Sequence, residues 1–198
     1  LTNAIATGRI AQAYMLTGVR GIGKTTTARL IARALNYPGS PSIEMPDMTP
    51  QCESILESRH MDGIEMAAAS NTGVDNMREI IDSVRYAPVS LRYKVYIIDE
   101  VHMLSKSAFN ALLKTLEEPP PHVKFIFATT EIRKVPVTIL SRCQRFDLKR
   151  LDAALLMHHY ARIAALENVT VGDESLRLVP PAPSGAGPAA LSPPAPDP

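Results

Sequence analysis

Ala13-Tyr-Met-Leu-Thr17, Gly18-Val-Arg-Gly-Ile-Gly-Lys24-Thr25 and Thr26-Thr27-Ala28-Arg29-Leu30-Ile31 follow one another without interruption. The first run is short and apolar and predicts a buried strand. The last places Thr27, Leu30, Ile31, Ala34 and Leu35 at helical spacing. Between them the glycines let successive backbone N–H groups turn inward around a polyphosphate, the pattern of a phosphate-binding loop. Lys24 is expected to reach the β and γ phosphates of ATP, Thr25 to place its hydroxyl on Mg²⁺, and the helix N-terminus to face the anion. Gly18, Val19, Arg20, Gly21, Ile22, Gly23, Lys24, Thr25 and Thr26 are the nucleotide-binding candidates. A bare glycine turn is the competing reading, and the placement between strand and helix argues against it.

Val95-Tyr-Ile-Ile-Asp99-Glu100 supplies a second apolar strand, ending in two acids. Asp99 is the candidate to hold Mg²⁺ together with Thr25. Glu100 is the candidate to polarise the water attacking the γ-phosphate, because phosphoryl transfer needs positioning and charge stabilisation. Phe125-Ile-Phe-Ala-Thr129-Thr130 is a further apolar strand with polar residues at its carboxyl end, where open α/β sheets place their ligands, and Thr130 is the candidate γ-phosphate sensor. Arg142, in Ser141-Arg142-Cys143, reads by chemistry alone as a surface cation or ion-pair partner. Lys124, Arg133, Lys134, Arg142, Arg145, Lys149 and Arg150 face only two acids in the same interval, a bias that suits either a phosphate- or subunit-facing edge or a solvated rim.

Around these motifs, strands are expected at residues 63–67 and 145–148, the former weak in β-propensity. Helices are expected at 51–59, at 74–84 with Thr72 as a cap, at 105–117 and at 153–166, with a turn or short helix at 136–140. Residues 2–9 read as the end of a helix. Strands alternating with helices predict an α/β fold, a five-stranded parallel sheet with helices on both faces. Residues 1–149 are expected to form this core, 150–179 the start of a helical lid, and 180–198, with eight of the chain's 17 prolines, a disordered tail.

The chain has 198 residues and a formal charge of +1, so no polyanionic partner is demanded by the overall balance. Two cysteines, Cys52 and Cys143, suggest free thiols in a reducing cytosol, and no apolar run is long enough to span a membrane. A cytoplasmic location is expected. Leu1 is not an initiator, so a fragment is expected. The five histidines show no metal-ligand spacing and read as surface or core residues.

Taken in order, residues 18–25, Glu65-Met-Ala-Ala-Ala-Ser70, Tyr96-Ile-Ile-Asp-Glu-Val-His102, Asn110-Ala-Leu-Leu-Lys-Thr-Leu-Glu-Glu-Pro-Pro120, Phe127-Ala-Thr-Thr130 and Ser141-Arg-Cys143 resemble the tau/gamma family of bacterial DNA polymerase III. The resemblance covers about 2–168 and implies an AAA+ core within a hetero-oligomeric clamp loader. Its implied activity is ATP-driven loading of a sliding clamp onto primed DNA. It also implies that Thr130 occupies the sensor-1 position and that Arg142 is an arginine finger acting on ATP held by a neighbouring subunit, supported by Ser141 and Cys143. Two positions depart from the family pattern. Ala67 stands where the family usually has an acid, and the usual four-cysteine zinc module is reduced to Cys52, so no zinc is expected. The family's N-terminal adenine-holding segment and second sensor arginine are not seen, and the resemblance stops near Glu174. A non-hydrolysing subunit of the same assembly is the alternative, against which the set Lys24, Thr25, Asp99 and Glu100 argues. A helicase reading of Asp99-Glu-Val-His102 needs two lobes that 198 residues do not hold.

Overall fold

A computed structural model of the chain describes residues 2–70 and 74–150, with 158 and 162 as single positions. Residues 2–18, 23–70 and 74–148 lie in one compact unit, and residues 19–22 belong to a second. The first unit carries β1 (Ala13–Thr17), β2 (Gly63–Ala67), β3 (Lys94–Asp99), β4 (Val123–Thr129) and β5 (Gln144–Asp147). All strand pairs are parallel, in the order β2-β3-β4-β1-β5. Around them run α1 (Thr2–Ala6), α2 (Lys24–Leu35), α3 (Pro50–Leu56), α4 (Val74–Val84), α5 (Lys106–Glu117) and α6 (Val137–Leu140).

Successive residues of a strand point to opposite faces, so a strand buried on both sides must be apolar throughout. β1, β3 and β4 follow this apart from Lys94, Lys124 and the polar residues at their carboxyl ends. Ala13, Met15, Tyr96, Ile98, Val123, Phe125 and Phe127 enter the core shared with α4 and α5, while Tyr14, Leu16, Val95, Ile97, Ile126 and Ala128 enter the core shared with α2 and Ile55 of α3. On the first face Tyr96, Phe125 and Phe127 stack in sequence, with ring centroids 5.4 and 5.8 Å apart. The expected five-stranded parallel sheet with helices on both faces is therefore present. The alanine-containing 63–67 is a strand because β3 supplies it a complete parallel partner.

Local chemistry sets the helix ends. Ser105 Oγ accepts the N–H of Ala108 at the start of α5, and residues 119–121, all proline, follow its end. Thr49 Oγ1 caps α3 with Pro50 as its first residue. α3 ends at Leu56 rather than at the expected residue 59, and Ser58 adopts a left-handed φ of 56° that an α-helix cannot continue through. α1 likewise ends at Ala6, before Gly8 with φ 69°. The expected cap at Thr72, the 153–166 helix, the lid and the tail lie outside the described residues.

Lys124 and Asp62 are the most deeply buried charges among the described residues. Lys124, expected with the basic edge, is instead interior and 3% exposed. Its amine donates to Gln12 Oε1 at 2.8 Å and lies 4.8 Å from the Tyr93 ring centroid, and burial lowers its pKa to about 8. It faces inward because it alternates with Val123 and Phe125 on a strand covered on both sides.

Asp62, just before β2, is 1% exposed. Its carboxylate accepts the N–H groups of Val89, Ser90 and Leu91 at 2.8, 2.9 and 3.0 Å, tying the approach to β3 onto the start of β2. Burial alone would raise its pKa, but these three bonds hold it below the usual carboxylate range. Asp62→Ala leaves three inward N–H groups without their acceptor and is expected to lower unfolding free energy by about 3 kcal/mol, measured by chemical denaturation. Because the folded-state pKa is depressed, the carboxylate's contribution is present above about pH 4 and is lost as pH falls through the folded-state value. The gap between parent and variant should close on acidification.

Candidate functional site

The parallel register brings the carboxyl ends of β1, β3 and β4 to one edge of the sheet, with Thr17 opposite Thr129 and Ile98 opposite Phe127. The glycine loop leaves β1 at this edge and enters α2. Gly18, Gly21 and Gly23 have φ of 151°, 76° and 89°. A Cβ at Gly23 would meet nothing within 4 Å, so its conformation and not its space calls for glycine. No side chain caps α2 at Gly23, which leaves its first turn, Lys24 to Thr26, as an uncapped positive helix end. Val19, Arg20, Gly21 and Ile22 lie in the segment between. Val19, Arg20 and Gly21 are exposed and Ile22 is half-buried.

Lys24 is buried, and its Nζ donates to Gly18 O at 3.2 Å, folding the side chain back along the loop. Thr25 Oγ1 donates to Asp99 Oδ2 at 2.6 Å, which joins the start of α2 to the end of β3. The other oxygen of Asp99 accepts Glu100 N–H at 2.8 Å. Glu100 Oε2 accepts both the N–H and the hydroxyl of Thr130, at 3.2 and 3.0 Å, joining the end of β3 to the residue after β4. The structure thus brings Lys24, Thr25, Asp99, Glu100 and Thr130 to one edge, the last four joined by direct bonds.

Arg142 is elsewhere. It follows α6 and donates to Thr138 O at 2.6 Å, to Ser141 Oγ at 3.3 Å and to Glu117 Oε1 at 2.7 Å. None of its described partners belongs to the loop or the strand ends. Neighbouring Cys143 packs against the α4/α5 core, and burial pushes its thiol up to about 12. Other members of the basic stretch are also paired: Lys134 with Glu131 at 2.7 Å and Arg145 with Asp147 at 2.7 Å.

Three features of this edge were not read from the sequence. His102, on the 3-10 turn Val101–Met103, bonds Thr129 Oγ1 through Nδ1 at 3.0 Å. Asp147 accepts the hydroxyl of Thr17, and Leu148 N–H donates to Thr17 O at 2.8 Å, fixing β5 to β1 beside the loop. Arg29 forms a two-pronged pair with Glu65, at 2.8 and 2.7 Å, and Ser58 adds a third bond to that carboxylate. Glu65 burial opposes ionisation, but Arg29 and Ser58 hold its pKa below the ordinary value. The one signal available was the His102 placed two residues after Glu100.

The donor set suits a hard cation: a hydroxyl and a carboxylate already 2.6 Å apart present oxygen ligands, as Mg²⁺ prefers. Among the described residues no cluster of three or more His, Cys, Asp or Glu is arranged to hold a metal without such help. No described helix is long and apolar enough to cross a membrane.

Residues 1–152 match the family described as DNA polymerase III, delta subunit. The chain is 47% identical over 192 residues to DNA polymerase III subunit tau of Salmonella typhimurium, covering 97% of the chain and 30% of the relative. It is 47% identical to subunit tau of Bacillus subtilis, covering 97% and 34%, and 45% identical to subunit gamma of Buchnera aphidicola, covering 90% and 50%. It therefore spans from under a third to half the length of these curated relatives. Among solved structures, Thermotoga maritima RuvB, a Holliday junction branch migration motor, superposes with a TM-score of 0.59 at 21% identity, covering 89% of this chain and 50% of that one. A DNA polymerase III gamma subunit-related protein of Thermotoga maritima gives 0.56 at 18%, covering 80% and 50%. Both likenesses are of fold, that of the α/β P-loop core of the AAA+ type, and the tau and gamma relatives bear out the resemblance carried by the motifs. With its family match running from residue 1 to 152, the chain belongs to the DNA polymerase III, delta subunit, family.

Proposed function

We propose that the chain binds ATP with Mg²⁺ and hydrolyses it as the motor part of a clamp loader, driving a sliding clamp onto primed DNA within a DNA polymerase holoenzyme. The observation that carries this is the linked set at the sheet edge: buried Lys24 folded along the loop, Thr25 bonded to Asp99, and Glu100 bonded to Thr130. The N–H groups at the start of α2 bind the polyphosphate. Lys24 leaves Gly18 O for the β and γ phosphates, a short movement for a flexible side chain with a carbonyl placeholder. Thr25 and Asp99 would hold Mg²⁺, which would supply charge neutralisation to the phosphates. Glu100 orients the attacking water, and Thr130 couples the γ-phosphate to Glu100. Arg142 serves the neighbouring subunit's nucleotide. The clamp, the primed DNA and the companion subunits enter through the family resemblance.

Calorimetry of ATP binding with and without Mg²⁺ tests the reading. The parent should bind more tightly with Mg²⁺, and Lys24→Ala should weaken binding about 100-fold or more, since a charge-assisted phosphate contact from a buried lysine is lost. Equal affinity of parent and Lys24→Ala would remove the loop from the nucleotide site.

A further inference from the structure

His102 spans the ends of two adjacent strands. Its side chain is 6% exposed. Nδ1 is bonded to Thr129 Oγ1 at 3.0 Å and lies 3.3 Å from Glu100 Oε2, and Nε2 lies 3.5 Å from Glu131 Oε1. The surroundings are themselves fixed. Thr129 Oγ1 also accepts Glu131 N–H at 3.0 Å, and Glu131 is paired with Lys134. Glu100 has a left-handed backbone with φ 49°, held by its N–H on Asp99 and by Met103 N–H on its carbonyl at 2.9 Å. That conformation is costly for a residue with a Cβ and is retained where its surroundings over-determine it. The root of the Glu100 side chain is therefore set by the turn after β3. Its tip is set through Oε2 alone, which takes both Thr130 donors and has the imidazole beside it. Oε1 has no partner among the described residues.

We propose that His102 is a positioning residue for Glu100: it closes the space beside Oε2 and ties that oxygen to the end of β4, so that Oε1 is the oxygen presented to water. The proposal rests on the reading of Glu100 as the water-orienting carboxylate. A three-torsion side chain that is 31% exposed has other rotamers to visit. Without the imidazole, only Thr130 restrains it. The same contact makes the end of β4, including Thr129 and Glu131, part of the support of Glu100, so a movement of Thr130 in response to a γ-phosphate would carry the carboxylate with it.

The test uses the full-length protein that contains this sequence, assembled with its partner subunits, and reads kcat, KM for ATP, ATP affinity by calorimetry and thermal unfolding. His102→Ala should lower kcat about 100-fold, the scale of a misplaced catalytic group, with KM within about twofold. His102→Asn, which carries an amide where Nδ1 lies, should recover most of the rate, whereas His102→Gln, whose amide reaches toward the Nε2 position, should not. In a Glu100→Gln background, His102→Ala should cause no further loss, because the two residues act as one unit. The proposal is overturned if His102→Ala keeps the parent kcat, if Asn and Gln rescue equally, or if the losses at 100 and 102 multiply. Should the alanine variant not fold, the contrast between Asn and Gln still decides. A parent that binds no ATP overturns the proposed function and this role together. A parent that binds and turns over ATP without that contrast overturns only the role of His102.

Discussion

Arg142→Ala is expected to leave ATP affinity of this chain unchanged and to lower hydrolysis in the assembled complex by about 1,000-fold or more, within the range of arginine fingers. The isolated fold explains the first half. Arg142 bonds Thr138, Ser141 and Glu117 and no residue of the loop. Its ion pair with Glu117 is exposed, with side chains 32% and 52% accessible, so detaching it costs no more than about 1 kcal/mol. A guanidinium held this loosely is free to turn to a neighbour's γ-phosphate. Glu117→Gln separates the two possible causes, because it breaks the same surface pair and leaves the guanidinium in place. Single-turnover hydrolysis should be slow in Arg142→Ala and close to the parent in Glu117→Gln. Equal losses in both would mean that the residue acts by holding α5 to α6, and unchanged hydrolysis in Arg142→Ala would end its assignment as a finger.

The difference between Arg142 and Lys24 also marks what the sequence could disclose. Local patterns carried the frame: β1, β3 and β4 are apolar at most of their buried positions, Lys94 and Lys124 being the charged exceptions, and the Ser105 cap and the 119–121 prolines bracket α5. Lys24 and Thr25 were legible because the loop, its glycines and the helix that follows are contiguous. Partners distant in sequence were not. His102 meets Thr129 and Glu131 across 27 and 29 positions only because β3 and β4 run parallel in register. Arg29 and Glu65, 36 positions apart, meet because α2 packs over β4 and β3, and β3 is the sheet neighbour of β2. Lys124 was misplaced for the same reason, since charge alone suggested a surface while the alternation along β4 turned it inward.

Glu100→Gln is expected to separate binding from chemistry. Gln keeps the length of the side chain and one carbonyl oxygen able to accept from Thr130, so the strand-end arrangement should survive. It lacks the charge with which a carboxylate polarises water, and hydrolysis should fall about 1,000-fold, the middle of the range for removing a general base. ATP affinity should stay within about twofold, because Lys24, Thr25 and Asp99 are untouched and Glu100 contacts none of them except through its own backbone N–H on Asp99. Calorimetry with the slowly hydrolysed nucleotide complex and single-turnover rates measure the two quantities independently. Retained hydrolysis with intact binding would leave the carboxylate as a structural partner of Thr130 and pass the water-orienting role to another group. Loss of binding would show that the bond from Glu100 N–H to Asp99 transmits the change to the Mg²⁺ ligands, which would make the end of β3 a single unit and not two separable residues. The left-handed backbone at Glu100 favours separability: it fixes the N–H toward Asp99 whatever the side chain beyond Cβ carries.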